Sequence, residues 1–165
     1  MNGINQEGLM MRPGKPGLRR FCRHTTGAAT VEFALILSVL LLLFAGILDF
    51  GHAWYMRQVI TNASREGARY GITYKTDTNG VRIAPSGLSP SISSYLLNTY
   101  KLTSTLPADA NPLITPGGAG YTSKNKGDPL EVKVTATKTW FIVSSLVPGF
   151  ANQITLSATT IMLLE

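Results

Sequence analysis

The chain has 165 residues, a formal net charge of +6 and a pI near 9.7, enough length for one modest domain with additional segments. Residues 1–27 hold +4 of that excess and the remainder is close to balanced. With no downstream block of like charges and no basic–aromatic interleaving, this pattern argues against a nucleic-acid partner. A single cysteine, Cys22, excludes an internal disulfide and any multi-cysteine metal site, and His24 and His52 lack metal-ligand spacing, so no metal and no cofactor is expected.

The chain opens on a basic leader, residues 1–27, that contains Arg12, Lys15, Arg19, Arg20 and Arg23. Cys22 lies in it, before the apolar run, whereas a lipid-modified cysteine would follow that run. After Gly27-Ala-Ala-Thr-Val-Glu32 come Phe33–Leu48, sixteen residues with no formal charge and Ser38 as their only polar side chain. Residues 28–48 make about 31 Å of helix, close to a ~30 Å hydrocarbon core. Five Lys/Arg precede this span, against Arg57 and Arg65 in the eighteen residues after Leu48. The positive-inside rule therefore predicts a cytoplasmic N-terminus and an extracytoplasmic body. A secretory signal peptide is the competing reading, with a weak small-x-small site at Gly51-His52-Ala53 and a mature start near Trp54. The apolar run is long for that, and the helical pattern continues through the site.

Glu32 is the informative residue of this stretch. A carboxylate in an apolar helix is costly unless it is paired or snorkels to the interface. If the bond after Gly27 is hydrolysed, the new α-amino group of Ala28 lies four residues from Glu32 and supplies the counter-charge, on its own chain or a neighbour's. Such a pair would fix the register of one helix against another. Glycine at the cut admits a peptidase closely, and Ala28 and Ala29 keep the new end slim.

Beyond Leu48 the pattern becomes amphipathic without a proline. Ala53, Met56, Ile60, Ala63, Gly67 and Tyr70 recur at spacings of three and four, which predicts one helix from Ala28 to Tyr70, with residues 49–71 as its amphipathic half. Gly46 and Gly51 mark a point where it can bend, or simply pack closely. Arg65-Glu66-Gly67-Ala68-Arg69 is the densest charged patch outside the leader, a solvated face with a Glu66–Arg69 pair. Its small residues would let another segment approach.

Residues 72–165 read as one small extracytoplasmic domain. Tyr74–Leu88 is loop-like, and Ser89-Pro90 predicts a capped short helix over Ser91–Tyr100 that uses Ile92, Tyr95 and Leu96. Gly117-Gly118-Ala119-Gly120 is a turn and not a phosphate cradle, since no strand–loop–helix context surrounds it. Leu130–Trp140 and Ile154–Leu164 alternate as an antiparallel pair, and Phe141–Val147 is an apolar run that stops at Pro148-Gly149. A third strand is expected near Leu113–Thr115 or Tyr121. The predicted class is α+β: a long N-terminal helix, membrane and amphipathic halves, packed on a small antiparallel sheet as a pilin-like lollipop. Asp109 and Asp128 read as solvated loop acids. No catalytic constellation is visible, and the chain is not expected to be an enzyme.

Three separated blocks carry a family resemblance: Gly27-Ala-Ala-Thr-Val-Glu-Phe-Ala-Leu, Gly46-Ile-Leu-Asp-Phe-Gly, and Asn62-Ala-Ser-Arg-Glu-Gly-Ala-Arg-Tyr70. The first is similar to the signal of type IV pilins and pseudopilins, and together they resemble TadE-like proteins of the Tad (Flp) pilus system. The C-terminal Ala158–Glu165 is weakly similar to that family's ending, but Leu163 stands where a basic residue is common. The resemblance implies a minor pilin or pseudopilin of the bacterial inner membrane, which enters the pilus or serves its assembly and hence adhesion. It implies cleavage between Gly27 and Ala28 by a prepilin peptidase. It also implies contacts with other pilin subunits, the inner-membrane assembly platform and the bilayer. Glu32 would act in helix register, and Arg65, Glu66, Gly67, Ala68 and Arg69 in packing or partner docking. The alternative is a single-pass membrane-anchored extracytoplasmic binding module that does not polymerise.

Overall fold

A computed structural model describes residues 25–146 and 149–165. Nearly all of the leader, with Cys22 and His24, lies outside the described residues. The chain divides into two compact units, one ending at Leu37 and one spanning Ser38–Glu165. The expected α+β class is the one observed.

One helix, α1, runs over Thr25–Ile72, a few residues longer at each end than the periodicity predicts. It passes unbroken through Gly46 and Gly51. A Cβ at either glycine would meet nothing within 4 Å, so packing within this chain does not require glycine there. In the first unit every described side chain from Gly27 onward is exposed.

In the second unit the predicted seam is the buried one. Met56, Ile60 and Ala63 are fully buried, and Ser64 and Ala68 join them. They face a three-stranded antiparallel sheet of order β1–β2–β3, formed by Leu113–Gly117, Pro129–Thr139 and Gln153–Leu163. The pairing runs through Ile114↔Val134 on one side and Val132↔Thr160 on the other. The central strand forms because β-branched residues alternate with polar ones, which turns Leu130, Val132, Val134 and Ala136 to the helix. Each fully buried Ile, Leu or Met contributes about 1.5–3 kcal/mol relative to exposure, so helix and sheet stabilise one another.

Close approach is permitted where α1 carries glycine. A Cβ at Gly67 would lie 2.7 Å from a Leu96 methyl and 3.2 Å from Val132, and one at Gly71 would run into Leu130 and Ile92. These contacts also give the direction of packing. Asp49 reaches Lys138, Gly67 reaches Val132 and Gly71 reaches Leu130, so α1 runs antiparallel to β2 along the sheet. The hydroxyls of Ser64 and Thr160, 2.8 Å apart, join helix and β3 midway.

Among the described residues, three short α-helices and two 3-10 turns, Pro85–Gly87 and Ala119–Tyr121, complete the body. In α2, Ile92–Ser94, the cap is Ser91 and not Ser89. The extended Ser91 accepts from the Ser94 N–H at 3.2 Å, which leaves Pro90 outside the helix. The helix continues as a wide π turn over Tyr95–Thr99, and Leu102–Thr105 forms α3. The apolar run after β2 turns into α4, Val143–Leu146. Gly118 does sit in a turn, with φ +84°, where a Cβ would strike the Pro129 carbonyl. Asp109 and Asp128 have partners where solvation alone was expected. A hydrogen bond with the Thr139 side chain holds the exposed Asp109 carboxyl below its ordinary range. The Ser123 hydroxyl donates to Asp128.

Candidate functional site

Gly27, Ala28 and Glu32 lie on the opening turns of α1, and all three are exposed. A Cβ at Gly27 would meet nothing within 4 Å, so its backbone is approachable. Helical spacing puts Ala28 and Glu32 on one face, one turn apart. From there to Phe44 the helix presents apolar side chains on every side, with Phe33, Ile36 and Val39 each about two-thirds exposed. A helix apolar all round belongs in lipid or inside a larger bundle. Among the described residues, this is the helix long and apolar enough to cross a membrane.

The first buried residue along α1 is Ala45, and one turn later comes Asp49, only 2 % exposed. Its carboxylate accepts three backbone N–H groups, those of Phe141, Ile142 and Val143, at 3.0–3.1 Å. Lys138, 1 % exposed, brings its ammonium within 3.6 Å of the same carboxylate and donates to the Thr139 carbonyl. That ammonium also lies 4.3 Å from the Phe141 ring centroid, and the half-buried His52 ring packs on Phe141 at 5.3 Å. The cluster pins the start of the 141–146 segment to the helix. A buried charge pair is tolerated when its remaining groups find partners; here the carboxylate accepts three N–H groups, and the ammonium donates to a carbonyl and lies over the Phe141 ring.

Neither Asp49 nor Lys138 figured in the reading of the chain as functional. The signal for Lys138 is present, however. The alternation Leu130, Val132, Val134, Ala136 points position 138 inward, and a lysine on a buried face requires an acid. Asp49 closes the apolar run and is the nearest candidate acid on the helix.

Near the other end of α1, Arg69 makes a two-point contact with Glu66 at 2.9 and 3.0 Å, and the Tyr95 hydroxyl donates to the same carboxylate at 2.9 Å. The Arg69 hydrogen bonds outweigh partial burial and, with Tyr95, hold the Glu66 carboxyl below its ordinary range. The Tyr95 ring stacks on Tyr70 at 4.1 Å. Of the five clustered residues, Arg65 and Arg69 are exposed, Glu66 is half-buried, and Gly67 and Ala68 are buried against the protein's own core. The cluster thus has an inner side of small residues and an outer side of two guanidinium groups.

No significant match is found among curated proteins or solved structures. Residues 27–69 match the family model described as TadE-like protein, a range that begins at Gly27 and ends at Arg69 within α1. The three blocks that resemble that family all fall on this helix, so it is residues 27–69, within α1, that are similar to a TadE-like protein.

Proposed function

We propose that this protein is a minor pilin or pseudopilin of Tad pilus assembly, held in the bacterial inner membrane with its N-terminus cytoplasmic. A prepilin peptidase cuts after Gly27, and residues 28–48 then pack among the helices of other pilin-like subunits delivered by the assembly platform. The observation that carries this reading is the all-round exposure of apolar side chains over residues 28–44, inside the TadE-like match. Such a surface needs lipid before assembly and neighbouring helices after it. The α-amino group liberated at Ala28 pairs with Glu32 and sets register, because a paired charge is tolerated in an apolar bundle where a lone one is not. Arg65 and Arg69 give the outer side of the 65–69 cluster a positive docking face for an acidic surface on a partner subunit. The role is structural and not enzymatic.

N-terminal sequencing of the mature chain tests the reading, with Ala28 as the expected first residue. An intact leader would favour the non-polymerising membrane-anchored module. Glu32→Ala should insert normally, be cut normally and fail to assemble; wild-type pilus numbers by electron microscopy would remove the pairing role.

A further inference from the structure

The second unit presents an apolar surface beside the last turns of the span. The side chains of Ser38, Leu41, Leu42, Phe44, Ala45 and Leu48 line one wall of a groove of about 760 Å³, and Ile142 lines the other. Ile142 therefore stands level with residues that the span places in hydrocarbon. Ala45, only 5 % exposed, lies about 4.5 Å inside the Leu48 end of that span at 1.5 Å per residue.

Charge placement supports the same boundary. Between Glu32 and Arg57 the helix carries one charge, Asp49, and that charge is hidden beneath the 141–143 backbone. No charged residue occurs between Lys138 and Glu165. Exposed around this level are the apolar Ile47, Leu48, Phe50 and Phe141 together with Trp54 and Tyr55, the two residue types enriched at membrane–water interfaces. In an apolar medium a loop must satisfy its own backbone donors, and Asp49 does this for three consecutive N–H groups.

We propose that Phe141–Val143, pinned by Asp49 and Lys138, is a second membrane contact that enters the headgroup–acyl boundary of the bilayer beside the span. The occupant of the groove mouth is lipid acyl chain, because the groove wall is continuous with residues 38–48 of the span. The body is then held on the bilayer by two apolar elements, which fixes its rotation about α1. This inference rests on the reading of residues 28–48 as a membrane span.

The test uses the full chain reconstituted in phosphatidylcholine vesicles brominated either near the headgroup or near the chain end. Trp54 and Trp140 are replaced by Phe, and a single tryptophan is placed by Phe141→Trp, Ile142→Trp, Leu40→Trp or Tyr74→Trp. Emission from the Phe141→Trp and Ile142→Trp chains should shift to the blue and be quenched more by bromine near the headgroup than near the chain end. Leu40→Trp should be quenched most by bromine near the chain end, and Tyr74→Trp by neither. Adding Asp49→Asn should reduce quenching at position 141 and leave position 40 unchanged. Quenching at position 40 with none at 141 and 142 overturns the proposal while leaving the span intact; the loop would then be covered by protein or held in water. No quenching at position 40 removes the span and the proposal with it.

Discussion

Along α1, residues 28–44 expose every side chain, whereas Met56, Ile60 and Ala63 on the later turns are fully buried. Both stretches are helical for the same local reason, since neither contains proline or a run of turn formers. What separates them is periodicity. Apart from Thr30, Glu32 and Ser38 the first stretch is apolar at every position, and it offers no preferred face to a sheet. The second is apolar at every third or fourth position, with Gly67 and Gly71 where Leu96, Leu130 and Ile92 come closest. One helix therefore suits two surroundings: the first stretch is long and apolar enough to cross a membrane, and the second is covered by its own sheet. Asp49 stands between them, a charge that neither setting accepts bare, and it is enclosed by Lys138 and three backbone donors.

The contrast is most easily broken at that boundary. Asp49→Ala leaves the Lys138 ammonium without its carboxylate and orphans three N–H groups, and breaking a buried pair costs about 3–5 kcal/mol. Denaturation of the detergent-solubilised chain carrying Trp54→Phe, followed by Trp140 fluorescence, should show that loss, while helix content by circular dichroism stays near that of the parent chain. Unchanged stability would mean that the pair is solvated and that the boundary is softer than its 1–2 % exposure implies.

A smaller effect is expected within the buried stretch. Gly71→Val adds methyl groups against Leu130 and Ile92, and overpacking of this kind costs about 1–3 kcal/mol. Gly46→Val, in open space, should be near neutral by the same denaturation assay. Equal losses at the two positions would erase the distinction between the exposed and packed turns.

The smallest effect concerns Glu66. Its carboxyl is held low by Arg69 and Tyr95, so its contribution is fully present above the unfolded-state glutamate pKa of about 4.3 and is lost as pH falls through the lower folded value. Wild type should exceed Glu66→Gln in stability at neutral pH, and the difference should shrink as the solution is acidified below that range. A difference that persists unchanged at low pH would point to the Tyr95 contact rather than to the carboxylate's charge.

Much of this was legible in advance. The seam Ala53–Met56–Ile60–Ala63–Gly67 follows from helical spacing, with Tyr70 at its end only half-buried, and the pairing of the two long strands follows from two-residue alternation; the sequence leaves the third strand open between Leu113–Thr115 and Tyr121, and it forms at Leu113–Gly117. The helix cap slipped from Ser89 to Ser91, because two serines flank Pro90 and only geometry selects the one whose hydroxyl reaches Ser94. Ile154 is 42 % exposed near the start of its strand, where with Leu156 it lines an open groove against Phe50, Ala53, Trp54 and Arg57 of α1.

Pattern along the chain was enough to place the long helix, its apolar stretch and the two long strands, because helix and strand periods and hydrocarbon thickness are local or one-dimensional constraints. Only the tertiary structure decided that Asp49 and Lys138 meet, that the segment after Trp140 folds back onto the helix, and that Tyr95 joins the Glu66–Arg69 pair. Those contacts join residues as many as 94 positions apart. A pairwise electrostatic or hydrogen-bonding preference has no period along the chain, so nothing short of folding the sheet onto the helix could choose the partners.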